Sequence, residues 1–242
     1  MSKSSEMTRK DMKEPDQFQV AAGEAASWLK GHGRTAALAS GLAALVLVVV
    51  VVVGVLRDRS ATAAGALLSE VYKAAAGEIS SVPLPGLPGP FFADDAARQR
   101  AVLAAAGRVV AEHPSSRAAA LAALAAGDAH LRLAEWDAAT ASYQTYLASA
   151  PKEDSFRFGA LEGLALVAEG QGQADAALAA WTRLGLEVPS QSDRADLEKA
   201  RLLAAAGKKA EARQLLGGFG EAHKGSPLTG EASDRLAKLG GT

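Results

Sequence analysis

The chain has 242 residues, 49% of them apolar and 22% charged, and a formal net charge of −1, a composition that suits one modest domain with accessory segments and a membrane contribution. The even charge balance offers no basic field for a phosphate backbone, so no nucleic-acid partner is expected. The absence of cysteine excludes disulfides, thiolate metal sites, a cysteine nucleophile and a bacterial lipoprotein anchor.

Residues 1–34 form a polar tail. Within it, the stretch PDQFQVAAGEAASWLK places Phe18, Ala21, Ala25, Trp28 and Leu29 at helical spacing, predicting a short amphipathic helix that either lies on a membrane surface or docks on a partner. Thr35 to Leu56 follow, 22 residues without a charge between Arg34 and Arg57. As a helix they would extend about 33 Å, enough for a hydrocarbon core of roughly 30 Å. The valine run Val48 to Val53 favours strand in water, but lipid gives an open strand edge no partner, so helix is the consistent reading. The 13 Leu and Val residues of the span favour insertion by roughly 4 to 8 kcal/mol. A cleaved signal peptide competes through the small pair Ala61 and Ala63, but the run is longer than a signal core and 34 residues precede it, favouring an uncleaved anchor. Lys30 and Arg34 on one side are matched by Arg57, Arg59 and Lys73 on the other, so charge leaves the orientation open.

Residues 57–92 read as a juxtamembrane helix, with Leu67, Leu68, Val71 and Tyr72 on a common side, followed by the proline-rich spacer ISSVPLPGLPGPFF, for which extended backbone is expected. Residues 93–242 read as alternating helices. Pro114, Pro151, Pro189 and Pro227 are spaced by 37, 38 and 38 residues, and each can close a helical hairpin. Between them a pattern recurs. Ala123, Ala126, Gly127 and His130 precede Ala139, Tyr143 and Pro151; Leu161, Leu164, Ala165 and Ala168 precede Ala177, Trp181 and Pro189; Ala200, Leu203, Gly207 and Ala212 precede Leu216 and Pro227. Small residues stand where two helices must cross closely, and a large side chain fills the adjoining gap. The pattern resembles the tetratricopeptide repeat. The expected architecture is therefore all-α: one transmembrane helix, then an α-solenoid of antiparallel hairpins.

No catalytic, cofactor or metal site is expected. His32, His113, His130 and His223 are far apart in sequence and lack metal-ligand spacing. The segment GQGQAD at 170–175 lacks the third glycine and the preceding strand of a phosphate loop and coincides with a predicted interhelical turn. Asp94 and Asp95 suit a helix start, and Tyr143 and Trp181 read as core. By the repeat register, Leu121, Leu124, Asp128, Leu131, Arg132, Glu162, Leu166, Glu169, Arg194, Leu197 and Arg201 line the concave face, a mixed apolar and charged groove suited to an extended segment or a helix of a protein partner.

The layout of short tail, single membrane helix and Ala-rich repeat domain resembles the ancillary subunit of the bacterial Sec translocon. That resemblance implies a bacterial inner-membrane protein with a cytoplasmic N-terminus and a periplasmic repeat domain. Its partners would be Sec translocon subunits, periplasmic chaperones or export substrates. An adaptor for another envelope assembly, in division or wall synthesis, and a structural homo-oligomer are the other readings.

Overall fold

The structure is a computed structural model that describes residues 17–82, 86 and 88–240. The side chains of Phe18 and Leu29, and residues Pro83 and Pro85, lie outside the described residues. The chain forms two compact units, 1–58 and 59–242. The first holds α1 (Gln17–Gly31) and the start of the 43-residue α2 (Gly33–Ala75), whose residues from Arg59 on belong to the second; the N-terminal part of α2 carries the apolar run and is long and apolar enough to cross a membrane.

The second unit is built from paired helices. The C-terminal end of α2 packs on α3 (Asp95–Glu112), α4 (Arg117–Arg132) on α5 (Trp136–Ser149), and α6 (Arg157–Gly170) on α7 (Ala174–Glu187). Next, α8 (Ser192–Ala205) packs on α9 (Lys209–Gly217), the short α10 (Phe219–Ala222) follows, and α11 (Thr229–Gly240) covers the last pair. Side-chain oxygens of Asp94 and Ser116 accept from the backbone N–H of Ala97 and Ala119 at 2.6 and 3.0 Å, fixing the starts of α3 and α4.

The repeat is legible in which residues the second helix of each pair buries. Ala139, Tyr143 and Tyr146 on α5, Ala177, Trp181 and Leu184 on α7, and Ala212, Leu216 and Phe219 on α9 and α10 are all at most 4% exposed. Val102, Ala106 and Val109 on α3 occupy the same column and are equally buried. A pair therefore precedes the three that the sequence pattern marks, and its first helix is residues 59–75, contributing Ala64, Leu68, Val71 and Ala74 to the core. The unit thus starts at Arg59 and not beyond the proline segment. Tyr72, expected beside Leu68 and Val71, turns outward and is half exposed.

The turns within pairs repeat as well. The N–H groups of Glu135, Gln173 and Lys208 each donate at 2.9 Å to the carbonyls of His130, Ala168 and Leu203, five residues back. This closure needs a left-handed residue at the penultimate position. Gly172 (φ 71°) and Gly207 (φ 77°) supply it, and Ala134 (φ 57°) does so against its own Cβ. The proline-rich segment is not simply extended: Glu78–Ile79 (β1) pairs in parallel with Phe91–Phe92 (β2), so its ends meet and it forms a loop.

Close crossing is most acute around Tyr143. A Cβ on Gly127 would come within 2.6 Å of its ring, and one on Gly163 would overlap it. Three outcomes follow for thermal and chemical denaturation. Gly163→Ala lowers stability by about 1 to 3 kcal/mol, but in a Tyr143→Leu background the same change is neutral or favourable, because alanine outranks glycine in a helix by about 1 kcal/mol. Ala139→Leu and Ala177→Leu each cost about 1 to 3 kcal/mol by forcing their pairs apart. Ala134→Gly stabilises by up to about 1 kcal/mol, whereas Gly172→Ala and Gly207→Ala destabilise.

Candidate functional site

The first helices of successive pairs share one face. Tyr72 of α2 and Asp128, Leu131 and Arg132 of α4 line one cavity of about 470 Å³, together with Arg98 of α3. Next along, α4 touches α6, and α6 is bridged to α8 by two ion pairs, Glu162 with Arg194 and Glu169 with Arg201 at 2.6 Å. The Arg194 guanidinium also lies 5.7 Å from the centre of the Phe158 ring, within cation–π range.

Buried aromatics hold two of these carboxylates from behind. The Tyr143 hydroxyl, on a ring that is fully buried, donates to Asp128 Oδ1 at 2.8 Å. Trp181 Nε1–H donates to Glu169 Oε1 at 2.9 Å, leaving Oε2 for Arg201. Each large side chain thus fills the gap between helices with its body and spends its polar tip on the face. Burial pushes the Asp128 carboxyl above its ordinary range, with the Tyr143 hydroxyl and Arg132 pulling it partly back. Burial and the adjacent Asp128 push Tyr143 far above the ordinary phenol value. Although burial opposes it, bonding to Glu169 and Glu198 holds Arg201 above the usual guanidinium value.

The predicted lining divides. Asp128, Leu131, Arg132, Glu162, Glu169, Arg194 and Arg201 lie on this face as described, and Leu166 on α6 is 39% exposed. Leu124 is half buried against the Tyr143 core, and Leu121 lines a separate cavity of about 260 Å³ beside Tyr146 and Asp154. Leu197 is not on the face: it is 3% exposed and packs with Leu216, Phe219 and Ala232, because α11 covers that side of α8. Tyr72, Arg98 and Phe158 join the face without having been expected there. Helical spacing puts Tyr72 on a common side with Leu68 and Val71, Arg98 sits in a segment with no repeat signal, and Phe158 precedes the first patterned residue of its helix, Leu161.

Nothing resembling a metal site is assembled: no group of three or more His, Asp or Glu that could hold an ion occurs among the described residues. The described histidines serve local structure. His130 Nδ1 lies 2.6 Å from Glu135 across the α4–α5 turn, and His223 Nε2 lies 2.9 Å from Asp196, tying α10 to α8. The GQGQAD segment is the α6–α7 turn. The near-fully buried Arg157 donates to the Leu147 carbonyl and to Glu187 at 3.1 and 2.5 Å, pinning the ends of α5, α6 and α7.

No family model matches the chain, and no curated protein matches it. Among solved structures, the chain is similar to YrrB, a TPR protein with an unusual peptide-binding site, with a TM-score of 0.43 and 19% identity over 58% of this chain and 67% of that one. The hairpin assignment stands on the repeated turns and buried columns described above.

The geometry around Asp128 sets a pH dependence. Its folded pKa lies above the ordinary value, so the folded state binds this proton more tightly than the unfolded chain. The contribution favours folding at acid pH and is lost as pH rises through the folded pKa. Asp128→Asn keeps an acceptor for Tyr143 without the charge, so its melting temperature relative to the parent rises between about pH 3 and pH 7. Tyr143→Phe instead leaves the carboxylate short of a donor and costs about 1 to 3 kcal/mol at neutral pH.

Proposed function

We propose that the α2–α4–α6–α8 face docks a segment of a partner protein without covalent chemistry. The observation that carries this is the pre-positioning of its polar groups. Asp128 and Glu169 are fixed from behind by buried aromatics, and Glu162 and Glu169 from the side by arginines of the next pair. Groups already held in place lose little freedom when a ligand arrives, which is how a rigid scaffold gains affinity. Leu166, exposed between Glu162 and Glu169, offers an apolar contact within the charged frame.

On this reading residues 35–56 tether the chain to the bacterial inner membrane, with the N-terminus cytoplasmic and the helical unit periplasmic. The resemblance in layout to the ancillary subunit of the Sec translocon makes translocon subunits, periplasmic chaperones or exported chains the partners. Photo-crosslinkers placed at Leu166 and at Arg132 in membranes test this. They capture such partners, whereas a probe at Leu186, which is 76% exposed on α7, captures none. Adducts arising only from Leu186 would refute docking on the proposed face, and protease resistance of the helical unit in cells with an opened outer membrane would refute its periplasmic placement.

A further inference from the structure

The break between α1 and α2 carries a compact basic and aromatic cluster. The helix stops at Gly31, bends at His32 and restarts at Gly33. His32 closes the bend: its backbone N–H donates to the Trp28 carbonyl at 3.0 Å, its Nδ1 lies 3.2 Å from the same oxygen, and its ring stacks on the Trp28 indole with centroids 5.1 Å apart and planes 17° from parallel. Thr35 Oγ1 donates to the His32 carbonyl at 2.8 Å, securing the other side. Trp28 is thereby held with 56% of its surface exposed. Lys30 and Arg34 flank the bend, both exposed, and neither makes an ion pair among the described residues. The one carboxylate on α1 is Glu24, six residues before Lys30. At the other end of the apolar run, by contrast, Asp58 stands between Arg57 and Arg59.

We propose that residues 28–34 form a collar for the headgroups of anionic phospholipids, an assignment that rests on residues 35–56 spanning a bilayer. The cluster adjoins the first residue of the apolar run, so a spanning helix puts it at headgroup depth. There an indole is favoured for its apolar body and polar N–H, and exposed cations attract lipid phosphates. A lysine and an arginine on either side of the bend supply two cationic donors at the same end of the apolar run, the arginine with its planar fork.

The test uses the full chain in mild detergent, offered equal amounts of phosphatidylcholine and phosphatidylglycerol, with retained lipid read by native mass spectrometry. The parent retains the anionic lipid about tenfold over the zwitterionic one. Lys30→Gln with Arg34→Gln brings the ratio near parity, Lys30→Arg with Arg34→Lys preserves it, and Arg57→Gln with Arg59→Gln leaves it unchanged. Millimolar inorganic phosphate does not displace the lipid. Parity in the parent, or loss of preference only in the Arg57 and Arg59 variant, overturns the collar while leaving the anchor intact. Displacement by phosphate overturns a lipid as the occupant. A chain that stays soluble without detergent and is released from membranes by alkaline carbonate overturns the anchor, and the collar with it.

Discussion

The helical unit depends on how closely its helices approach at Tyr143. The ring occupies space that glycine leaves on both neighbours, Gly127 of α4 and Gly163 of α6, and it is fully buried there. One side chain therefore sets two spacings: that within a pair and that between pairs. Trp136 fills the space left by Gly170 at the same α5–α6 junction, and Trp181 is the equally buried large side chain of the next pair. Dispersion falls steeply with distance, so a gap of even a fraction of an ångström at these crossings forfeits much of the contact energy. This is why alanine and glycine here cannot be exchanged for larger residues despite their modest chemistry.

The same crossings decide what the shared face can present. A phenol or indole that fills an interhelical gap still has one polar atom to satisfy, and for Tyr143 and Trp181 it is satisfied at the face, by Asp128 and Glu169. Magnitudes separate the roles of these interactions. Burying a large apolar side chain contributes about 1.5 to 3 kcal/mol, whereas partly exposed ion pairs such as Glu169 with Arg201 contribute roughly 0.2 to 1 kcal/mol. Packing holds the scaffold together. The ion pairs orient charges on its surface, and they can be altered without losing the fold, which is the property a docking face requires.

The two units differ in what their apolar side chains bury. In residues 59–242 every pair buries its apolar column against a neighbour. The apolar part of α2 buries nothing: Leu45, Val46, Leu47 and the valines to Val53 are 40 to 64% exposed. A helix with its backbone bonds satisfied internally and its side chains uniformly apolar is the form that hydrocarbon accepts. One helix therefore carries both characters, with no charge between Arg34 and Arg57 and with Glu70 and Lys73 paired at 2.7 Å near its end.

The sequence by itself determined the helical class, the apolar span and the hairpin period. Each follows from local rules: charge-free length, proline at helix ends, and small residues at fixed spacing. It also placed Asp128, Glu162, Glu169, Arg194 and Arg201 on one face, because a helix repeats its faces every three to four residues regardless of its neighbours. Only the tertiary structure decided that α11 removes Leu197 from that face and that Tyr72 turns outward. It likewise showed that the end of α2 completes a first pair with α3, whose column of Val102, Ala106 and Val109 carries no aromatic to betray it. These depend on which element covers which. That is settled by contacts between residues far apart in the chain, which periodicity within a single helix does not encode.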